Sequence, residues 1–362
     1  MIFTPNSTKM FFLFILFFST LISISSNSWL GCWIGLEINL LSFIPLMSTP
    51  NNLLNSEASL KYFLTQSIAS INFLFYIMLN LFFMKNYLNN LFSIIINSTL
   101  FMKMGSAPFH YWFPNIMEGL SWFNCFILMT WQKITPMILL SYYFNFNYLY
   151  FILIINTLVG AIGSFNQTSL RKLMAFSSIN NLGWMLSAMS ISENLWLIYF
   201  IFYSIFSFIV CFLFYIINIF FVNQLFFFNM NFLIKISILI NFLSLGGLPP
   251  FMGFFPKWLI INYLMINNFF IINFCIIMFS LILLFIYIRI IFLSLMFYSF
   301  KLKWFKIFIN NNFLNLIYFF NFISLSGMIA STFFLWFNLI LNFKIILYLF
   351  LIMFYHKFKF NY

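Results

Sequence analysis

The sequence contains no aspartate, and its 362 residues include only four acidic residues, all glutamate, against sixteen lysines and arginines. Charged residues form 6% of the chain, whereas a soluble domain carries about 25%. So few charges cannot cover a water-facing surface, which excludes a soluble enzyme and a disordered regulator. The basic residues are scattered and form no patch, so nucleic acid is excluded as a partner.

Motifs for metal ions, clusters and nucleotides are also missing. The four cysteines lie singly in apolar stretches without a Cys-x-x-Cys pair, which argues against zinc and iron–sulfur sites. The sequence has no glycine-rich nucleotide loop and no His-Glu-x-x-His run. We therefore expect no metal and no cofactor on this chain, and we interpret the cysteines as neutral, buried thiols.

Long hydrophobic runs dominate what is present. Hydrophobic residues form 64% of the chain and the mean hydropathy is +1.06. A helix needs about 20 apolar residues to cross a bilayer, and about eleven such runs follow one another through brief connections. Because the runs are continuous rather than alternating, we predict helices and not a β-barrel. The predicted fold is an all-α, polytopic membrane protein with a single membrane domain over 1–362. The predicted spans cover 10–26, 28–47, 58–83, 90–113, 120–143, 146–164, 170–190, 194–222, 235–262, 268–297 and 313–342, with a short twelfth apolar segment over 345–355.

The distribution of lysine and arginine predicts the orientation of these spans, because basic loops stay on the positive side of a membrane. With eleven spans, one face receives Lys9, Lys61, Arg171, Lys172, Lys235, Arg289, Lys301, Lys303 and Lys306. The opposite face receives Lys85, Lys344, Lys357 and Lys359. Nine residues against four place the N-terminus on the positive side, which in a mitochondrion is the matrix.

Four ionisable residues remain deep inside predicted spans, namely Glu37, Lys103, Lys133 and Lys257. Each costs about 2.5–3.5 kcal/mol at the centre of a helix on insertion scales, and such residues usually mark a functional path. A carboxylate in a low-dielectric medium requires a cation. A Glu–Lys pair whose separation changes would therefore act as a protonation switch.

Glycine and proline interrupt two of the spans beside buried lysines. The interruptions comprise Gly105 and Pro108 after Lys103, and Gly247, Pro249 and Pro250 before Lys257. Inside a membrane, non-helical backbone is tolerated only where protein buries it or where it lines a water-filled cavity. Two interrupted spans favour a transporter built from repeated halves, although one kinked helix with a re-entrant loop is an alternative. We predict that 105–108 and 247–250 leave helical geometry beside polar cavities.

Lys133 and His110 are further candidates for proton transfer. Pro136 follows Lys133 by about one turn, and proline clashes with the carbonyl four residues earlier, so we expect open backbone beside this lysine. The alternative is that the side chain of Lys133 extends to the membrane interface, but the position of Lys133 deep inside its predicted span argues against this.

His110 follows the first interruption and could pass a proton, while a hydrogen-bonded structural role is equally open.

Five runs are specific in combination. They are Gly-Leu-Glu-Ile-Asn at 35–39, Glu-Ala-Ser-Leu-Lys-Tyr-Phe-Leu-Thr-Gln at 57–66, Lys-Met-Gly-Ser-Ala-Pro-Phe-His at 103–110, Trp-Gln-Lys at 131–133 and Gly-Leu-Pro-Pro at 247–250. Together they resemble the family of mitochondrial NADH–ubiquinone oxidoreductase subunit 2, in its insect form. The resemblance extends from about residue 28 to about residue 300. This family is one of the antiporter-like subunits in the membrane arm of respiratory complex I.

The resemblance implies a proton-translocating core subunit of complex I in the mitochondrial inner membrane, with other membrane-arm subunits and lipids as its partners. It also implies an N-terminus in the matrix, and a proton relay through Glu37, Lys103, Lys133 and Lys257. The family binds no NADH, flavin, cluster or quinone on this subunit, so the redox chemistry belongs to other subunits. A free-standing cation/proton antiporter and a purely structural membrane subunit are the alternatives.

The chain departs from the family pattern at two positions. The family usually has an acid after the Trp-x-Pro step, where this chain has Asn115. It often has histidine where this chain has Asn181. Because asparagine cannot titrate, a relay through the second position requires water or the hydroxyls of Ser177 and Ser178.

Overall fold

The helices α1–α15 make up nearly all of the described chain. The computed structural model describes residues 7–48, 52–82, 89–227, 232–296 and 311–327, together with Thr332. Within these ranges the other regular feature is an isolated antiparallel β-bridge between Ser169 and Phe221. The helices are Ser7–Ser25 (α1), Trp29–Met47 (α2), Leu53–Phe82 (α3), Asn89–Met104 (α4), Trp112–Gly119 (α5), Trp122–Met129 (α6), Trp131–Tyr142 (α7), Phe146–Gly163 (α8), Leu170–Ile191 (α9), Glu193–Ile217 (α10), Val222–Phe227 (α11), Phe232–Gly246 (α12), Phe254–Ile266 (α13), Phe270–Met296 (α14) and Asn311–Leu325 (α15).

The helices confirm the prediction of an all-α, polytopic membrane protein. Among the described residues, seven helical segments are long and apolar enough to cross a membrane. They are Ser7–Ser25, Trp29–Met47, Leu53–Asn80, Trp122–Tyr142, Phe146–Gly163, Glu193–Ile217 and Phe270–Phe292. The predicted spans over 120–143 and 235–262 are each built from two shorter helices, α6 with α7 and α12 with α13. The predicted span over 90–113 covers α4 and the first two residues of α5. The 301–306 loop, about half of the last predicted span and the 345–355 segment lie outside the described residues.

Polar residues in the short connections cap the ends of several helices. The side chains of Ser28, Asn145 and Ser192 each accept a hydrogen bond from a backbone N–H in the first turn of the following helix. Such caps satisfy donors that the helix itself leaves open. At the other end of α10, Asn218 takes the left-handed conformation with φ of 56°, which small polar residues tolerate.

Helix α9 occupies the centre of the bundle. It packs against α5, α6, α8, α10, α13 and α14, and its residues 177–189 are all buried. Its contact with α8 depends on a small residue, because a Cβ on Gly160 would lie 2.6 Å from the backbone nitrogen of Asn180. Glycine at such a position lets two helix backbones approach closely. The buried side chains of α9 are therefore in contact with several neighbouring helices.

Candidate functional site

Lys133 is enclosed in the protein interior. It lies in the first turn of α7 and is 1% exposed. Its Nζ donates a hydrogen bond to the backbone carbonyl of Ser178 on α9, at 3.3 Å. The same atom lies 5.2 Å from the ring centroid of Phe113 and 5.6 Å from that of Tyr203. Aromatic faces compensate part of the cost of burying a cation. An ammonium has three N–H donors, so this setting leaves capacity for water.

The helix that carries Lys133 is interrupted upstream of the lysine. Helix α6 ends at Met129, Thr130 has φ of −114° and ψ of −71°, and α7 begins at Trp131. Pro136, where the sequence predicted the opening, lies inside α7. Thr130 lies six residues before Pro136, whereas a proline ring clashes with the carbonyl four residues earlier, so this proline does not explain the change at Thr130. Thr130 is therefore a third interruption, which the sequence did not predict.

Lys257 is held by the end of the neighbouring helix. It lies in the first turn of α13 and is 8% exposed. Its Nζ donates to the carbonyls of Gly246 at 2.9 Å and Leu245 at 3.3 Å, which belong to the last turn of α12. The C-terminal carbonyls of a helix favour a cation. On the other side, the ring centroid of Trp184 lies 5.7 Å from Nζ.

Both of these lysines contact α9. Lys133 bonds to Ser178, and Lys257 faces Trp184 six residues further on. Six residues correspond to about 9 Å along a helix. Between them lies Asn181, whose Oδ1 accepts a hydrogen bond from the Tyr199 hydroxyl at 2.9 Å. The two lysines are therefore less than two turns apart along one helix, with a polar pair at the intermediate level.

A small cavity adjoins this polar pair. Its volume is about 20 Å³, and its polar lining includes Asn181, Tyr199, Ser244 and Lys257. A polar space of this size holds one water molecule. Such a water would connect Lys257 with the side chains on α9 and α10.

The two serines considered as relay groups direct their hydroxyls elsewhere. The hydroxyls of Ser177 and Ser178 each donate at 2.7 Å to a carbonyl in their own helix, those of Met174 and Ala175 respectively. The contact with Lys133 uses the backbone carbonyl of Ser178. A carbonyl can accept a hydrogen bond but has no proton to pass on. Each serine side chain also interacts with a tyrosine, Ser178 with Tyr203 and Ser177 with Tyr287. The relay role of the two serines stays a prediction.

Lys103 and Glu37 interact electrostatically without direct contact. Lys103 lies at the end of α4, is 6% exposed, and has its Nζ 5.9 Å from the ring centroid of Phe73. Glu37, half-buried on α2, acts on Lys103 through its charge. Ion pairs within 4.0 Å occur elsewhere in the described part of the chain, at Lys61–Glu57 and Lys172–Glu118. Glu37 and Lys103 thus interact over a longer distance, which a movement of α2 or α4 would change.

The first interruption is stabilised by protein groups. At Gly105 the chain leaves α4 with φ of +69°, and the following Ala107–Pro108 peptide bond is cis. The last carbonyls of α4 accept hydrogen bonds from side chains: that of Met102 from the Trp112 indole and that of Lys103 from the Gln66 amide, both at 3.1 Å. The backbone of Ala107 donates to the Oδ1 of Asn156 at 2.5 Å. These backbone groups are therefore paired within the protein, and a cleft begins two residues after the interruption, at His110.

His110 lies between this interruption and a cleft. It is 8% exposed, its Nδ1 is 3.2 Å from the carbonyl of Pro108, and its ring centroid is 4.2 Å from that of Tyr111. The cleft measures about 430 Å³. Its polar lining residues are His110, Asn115, Gln167 and Lys172.

The second interruption begins at Gly247, which has φ of +78°. Pro249 and Pro250 follow and are exposed. Met252 then donates its backbone N–H to the carbonyl of Ser324 on α15, at 3.0 Å. The cavity beside Lys257 lies next to this interruption, because Ser244 and Leu245 of the preceding turn line it.

Several residues of the site were not identified from the sequence. Asn156 and Tyr199 lie in long apolar runs without a motif of their own. Trp184 lies in the run 177–184, in which the family often has histidine at position 181, but that run does not indicate its contact with Lys257. Gln66 lies within the run 57–66, and that run alone does not indicate that its amide donates to the carbonyl of Lys103. Among the described residues, no three His, Cys, Asp or Glu side chains are grouped so that they could bind a metal ion.

Comparison with known proteins gives the family. The family model described as NADH:quinone oxidoreductase/Mrp antiporter, transmembrane, matches residues 26–284. The chain is 54% identical to NADH-ubiquinone oxidoreductase chain 2 of Anopheles gambiae over 256 residues, which cover 69% of this chain and 75% of that one. It is 51% identical to the Aedes aegypti protein of the same name over 261 residues, with coverage of 71% and 76%.

Solved structures agree with this family in their fold. A chain of respiratory complex I from Thermus thermophilus superposes with a TM-score of 0.79 at 19% identity, over 91% of this chain and 79% of that chain. A chain of the Mrp complex from a Dietzia species superposes with a TM-score of 0.69 at 14% identity, over 77% and 59%. From the match over 26–284 and the similarity to the mosquito proteins, we conclude that this chain belongs to the NADH:quinone oxidoreductase/Mrp antiporter transmembrane family.

Proposed function

We propose that this chain is a proton-translocating membrane-arm subunit of mitochondrial NADH–ubiquinone oxidoreductase, located in the mitochondrial inner membrane. One observation carries the proposal: Lys133 and Lys257 are buried against the same helix, with the polar pair of Asn181 and Tyr199 between them. The names of the mosquito relatives support the assignment to this complex. The chain carries no redox cofactor of its own, and the redox chemistry takes place on other subunits.

The proposed mechanism is electrostatic. When Glu37 and Lys103 are close, the carboxylate stabilises the ammonium of Lys103. When they separate, Lys103 releases its proton to water, and the neutral amine of Lys133 takes up a proton from that water. Lys133 passes a proton in turn, through the water-sized cavity, to Lys257. Each lysine thus alternates between ammonium and amine, and His110 is a further group that could supply protons from the cleft.

Isolation of the chain tests the assignment against the free-standing antiporter. We expect the chain to co-purify from mitochondrial membranes with an assembly that oxidises NADH, and we expect the chain alone in liposomes to exchange no cations for protons. The measurement is a pH-sensitive dye inside the liposomes, with the intact assembly and NADH as the positive control. Cation-dependent proton exchange by the isolated chain would contradict the proposal and support the antiporter.

The orientation is a separate prediction. The N-terminus and the 301–306 loop should lie in the matrix, because the basic residues concentrate on that face. In the assembled complex, Lys303→Cys should react with a membrane-impermeant thiol reagent in inside-out vesicles. Lys85→Cys, from the opposite face, should react in mitoplasts instead. Reaction of Lys303→Cys from the intermembrane space would show that the predicted topology is inverted.

A further inference from the structure

Two amide side chains join the helix of Glu37 to the helix of Lys133. The Nε2 of Gln132, on α7, donates a hydrogen bond to the Oδ1 of Asn39, on α2, at 2.8 Å. Asn39 follows Glu37 by two residues, and Gln132 directly precedes Lys133. This hydrogen-bonded pair, which we call the amide bridge, therefore lies within two residues of an ionisable group at each of its ends.

Asn39 depends on the amide bridge for its side-chain hydrogen bonding. It is 2% exposed, and its Nδ2 is buried without an acceptor among the described residues. Within that part of the chain, its side chain bonds to Gln132 alone. Buried amides in folded proteins are almost always hydrogen-bonded, and loss of a partner leaves a costly unsatisfied group. Separation of the two amides is therefore unfavourable, so we expect α2 and α7 to move together at this level.

Helices α1 and α2 form a closely packed pair that carries one half of the amide bridge. A Cβ on Gly35 would lie 2.7 Å from the Cβ of Ser23 on α1, and glycine at such a position lets helix backbones approach closely. The same pair of helices contacts α7 one residue earlier, because the ring centroid of Phe17 on α1 lies 4.4 Å from that of Trp131. Two successive residues of α7 thus contact the α1–α2 pair immediately before Lys133.

The interruption at Thr130 separates this part of α7 from α6. The N–H of Lys133 donates to the Thr130 carbonyl, only three residues earlier, at 3.1 Å. Before the interruption, α6 has its own bond to α2, because the Nδ2 of Asn124 donates to the Leu46 carbonyl at 2.9 Å. Helix α2 is therefore bonded separately to each side of the interruption. A displacement of α2 at Asn39 acts on α7 through the amide bridge.

We propose that the amide bridge transmits movement of α2 to Lys133, which makes Asn39 and Gln132 positioning residues of the relay. This inference rests on the proposed function. When α2 moves Glu37 relative to Lys103, the bridge displaces the first turn of α7 in the same sense. The state of the glutamate–lysine pair thereby reaches the next lysine through the protein itself, in addition to its effect through charge.

The displacement acts on the hydrogen bond that holds the Lys133 ammonium. Its Nζ donates to the Ser178 carbonyl on α9 at 3.3 Å, which is already longer than the usual distance for such a bond. A small movement of α7 away from α9 removes this acceptor. The ammonium is then less stabilised and passes its proton to water, whereas the reverse movement restores the bond.

Substitutions in the amide bridge test the proposal through pumping per assembled complex. Asn39→Leu and Gln132→Met keep most of the side-chain volume and remove the hydrogen bond. We expect each to lower this rate by about tenfold, since a misplacement of about 1 Å can cost about 100-fold. The double variant should fall no further, because both changes remove the same bond.

The matched control is Asn124→Leu, which removes the bond of α2 to α6 on the other side of the interruption. Its assembly is expected to fall, while pumping per assembled complex stays at the wild-type level. If the amide bridge served only packing, its variants would behave like this control. Wild-type pumping per assembled complex by Asn39→Leu and Gln132→Met would therefore overturn the proposal.

A covalent link made after assembly separates transmitted movement from packing. The double variant Asn39→Cys with Gln132→Cys should pump poorly, and a membrane-permeant bis-methanethiosulfonate with a short spacer should return pumping to near the wild-type rate. Mass spectrometry confirms the link. Each single cysteine variant, treated in the same way, is the control and should not recover. Loss of the remaining pumping on linking would show that α2 and α7 must separate during turnover, and would overturn the proposal.

The reciprocal exchange Asn39→Gln with Gln132→Asn decides the question if the leucine variant does not assemble or the link does not form. It keeps both amides and the total length of the bridge, so it should pump faster than Asn39→Gln alone. Equal rates of these two variants, high or low, would overturn the bridge. Normal pumping by the variants that lack the bond, beside a non-pumping Lys133→Met, would reject the bridge alone. Normal pumping by Lys133→Met as well would reject the proposed relay.

Discussion

Replacement of Lys133 by methionine is expected to abolish proton pumping while the complex still assembles. Methionine keeps most of the length and apolar volume of lysine, and the site is 1% exposed and lined by Phe113 and Tyr203. The change removes the proton-carrying group without opening a cavity. We expect pumping to fall by about 100-fold or more, the scale on which a positioned proton-transfer group acts. Quinone reduction coupled to pumping should fall with it.

The matched control for this variant is Lys61→Met. Lys61 is half exposed and paired with Glu57 one turn away on α3, and surface pairs of this kind contribute about 0–1 kcal/mol. We therefore expect pumping and assembly to remain at wild-type levels. Lys133→Arg should also fail, because a guanidinium stays protonated and cannot hand its proton on. The amount of assembled complex is measured first, and pumping is then measured in liposomes that contain equal amounts of it.

The structural alternative predicts a different pattern for Lys133. If the lysine had no role in proton transfer, methionine would remove a buried charge and its desolvation cost, and the complex would become more stable without loss of activity. An assembled Lys133→Met complex that pumps at the wild-type rate would therefore remove this residue from the relay.

The second large effect is expected for Gly247→Ala. Gly247 has φ of +78°, and the left-handed conformation costs a residue with a Cβ about 1–2 kcal/mol. The added Cβ would also lie 2.8 Å from Cδ and 3.1 Å from Nζ of Lys257. The lysine must move away from the carbonyls of Gly246 and Leu245. We expect a lower thermal stability of the complex and a pumping rate reduced by about tenfold or more.

The adjacent glycine provides the control for that experiment. Gly246 is the last residue of α12, and a Cβ there would be 3.5 Å from its nearest neighbours, the side chains of Leu284 and Tyr287. This distance is an ordinary contact, so Gly246→Ala should leave pumping unchanged. Thermal unfolding and pumping are compared for the two variants. Equal behaviour of the pair would show that neither the backbone conformation at Gly247 nor its contact with Lys257 matters.

The sequence predicted those features that depend on local pattern. Apolar runs of sufficient length indicated the helices, and Gly105 and Gly247, each close to a lysine and to prolines, indicated the two interruptions. Both glycines have positive φ in the structure. A glycine ends a helix through its own backbone conformation, because a residue without a Cβ adopts positive φ at little cost. The sequence around each glycine is therefore enough to indicate the interruption.

The partners of the lysines depend on contacts between distant segments and were not predictable from pattern. Nothing in the run around Lys133 indicates that its acceptor is Ser178, 45 residues away. Asn156, which holds the first interruption through Ala107, is 49 residues from its partner. The interruption at Thr130 has no glycine or proline of its own, so only the packed structure revealed it.

The placement of both lysines on α9 has a mechanical consequence. Ser178 and Trp184 are six residues apart, which at about 100° per residue puts them roughly 120° apart around the helix axis by the shorter way. Because one helix provides both contacts, any displacement of α9 changes the surroundings of Lys133 and Lys257 together. A single movement of α9 would therefore couple the two lysines, although no hydrogen bond joins one to the other.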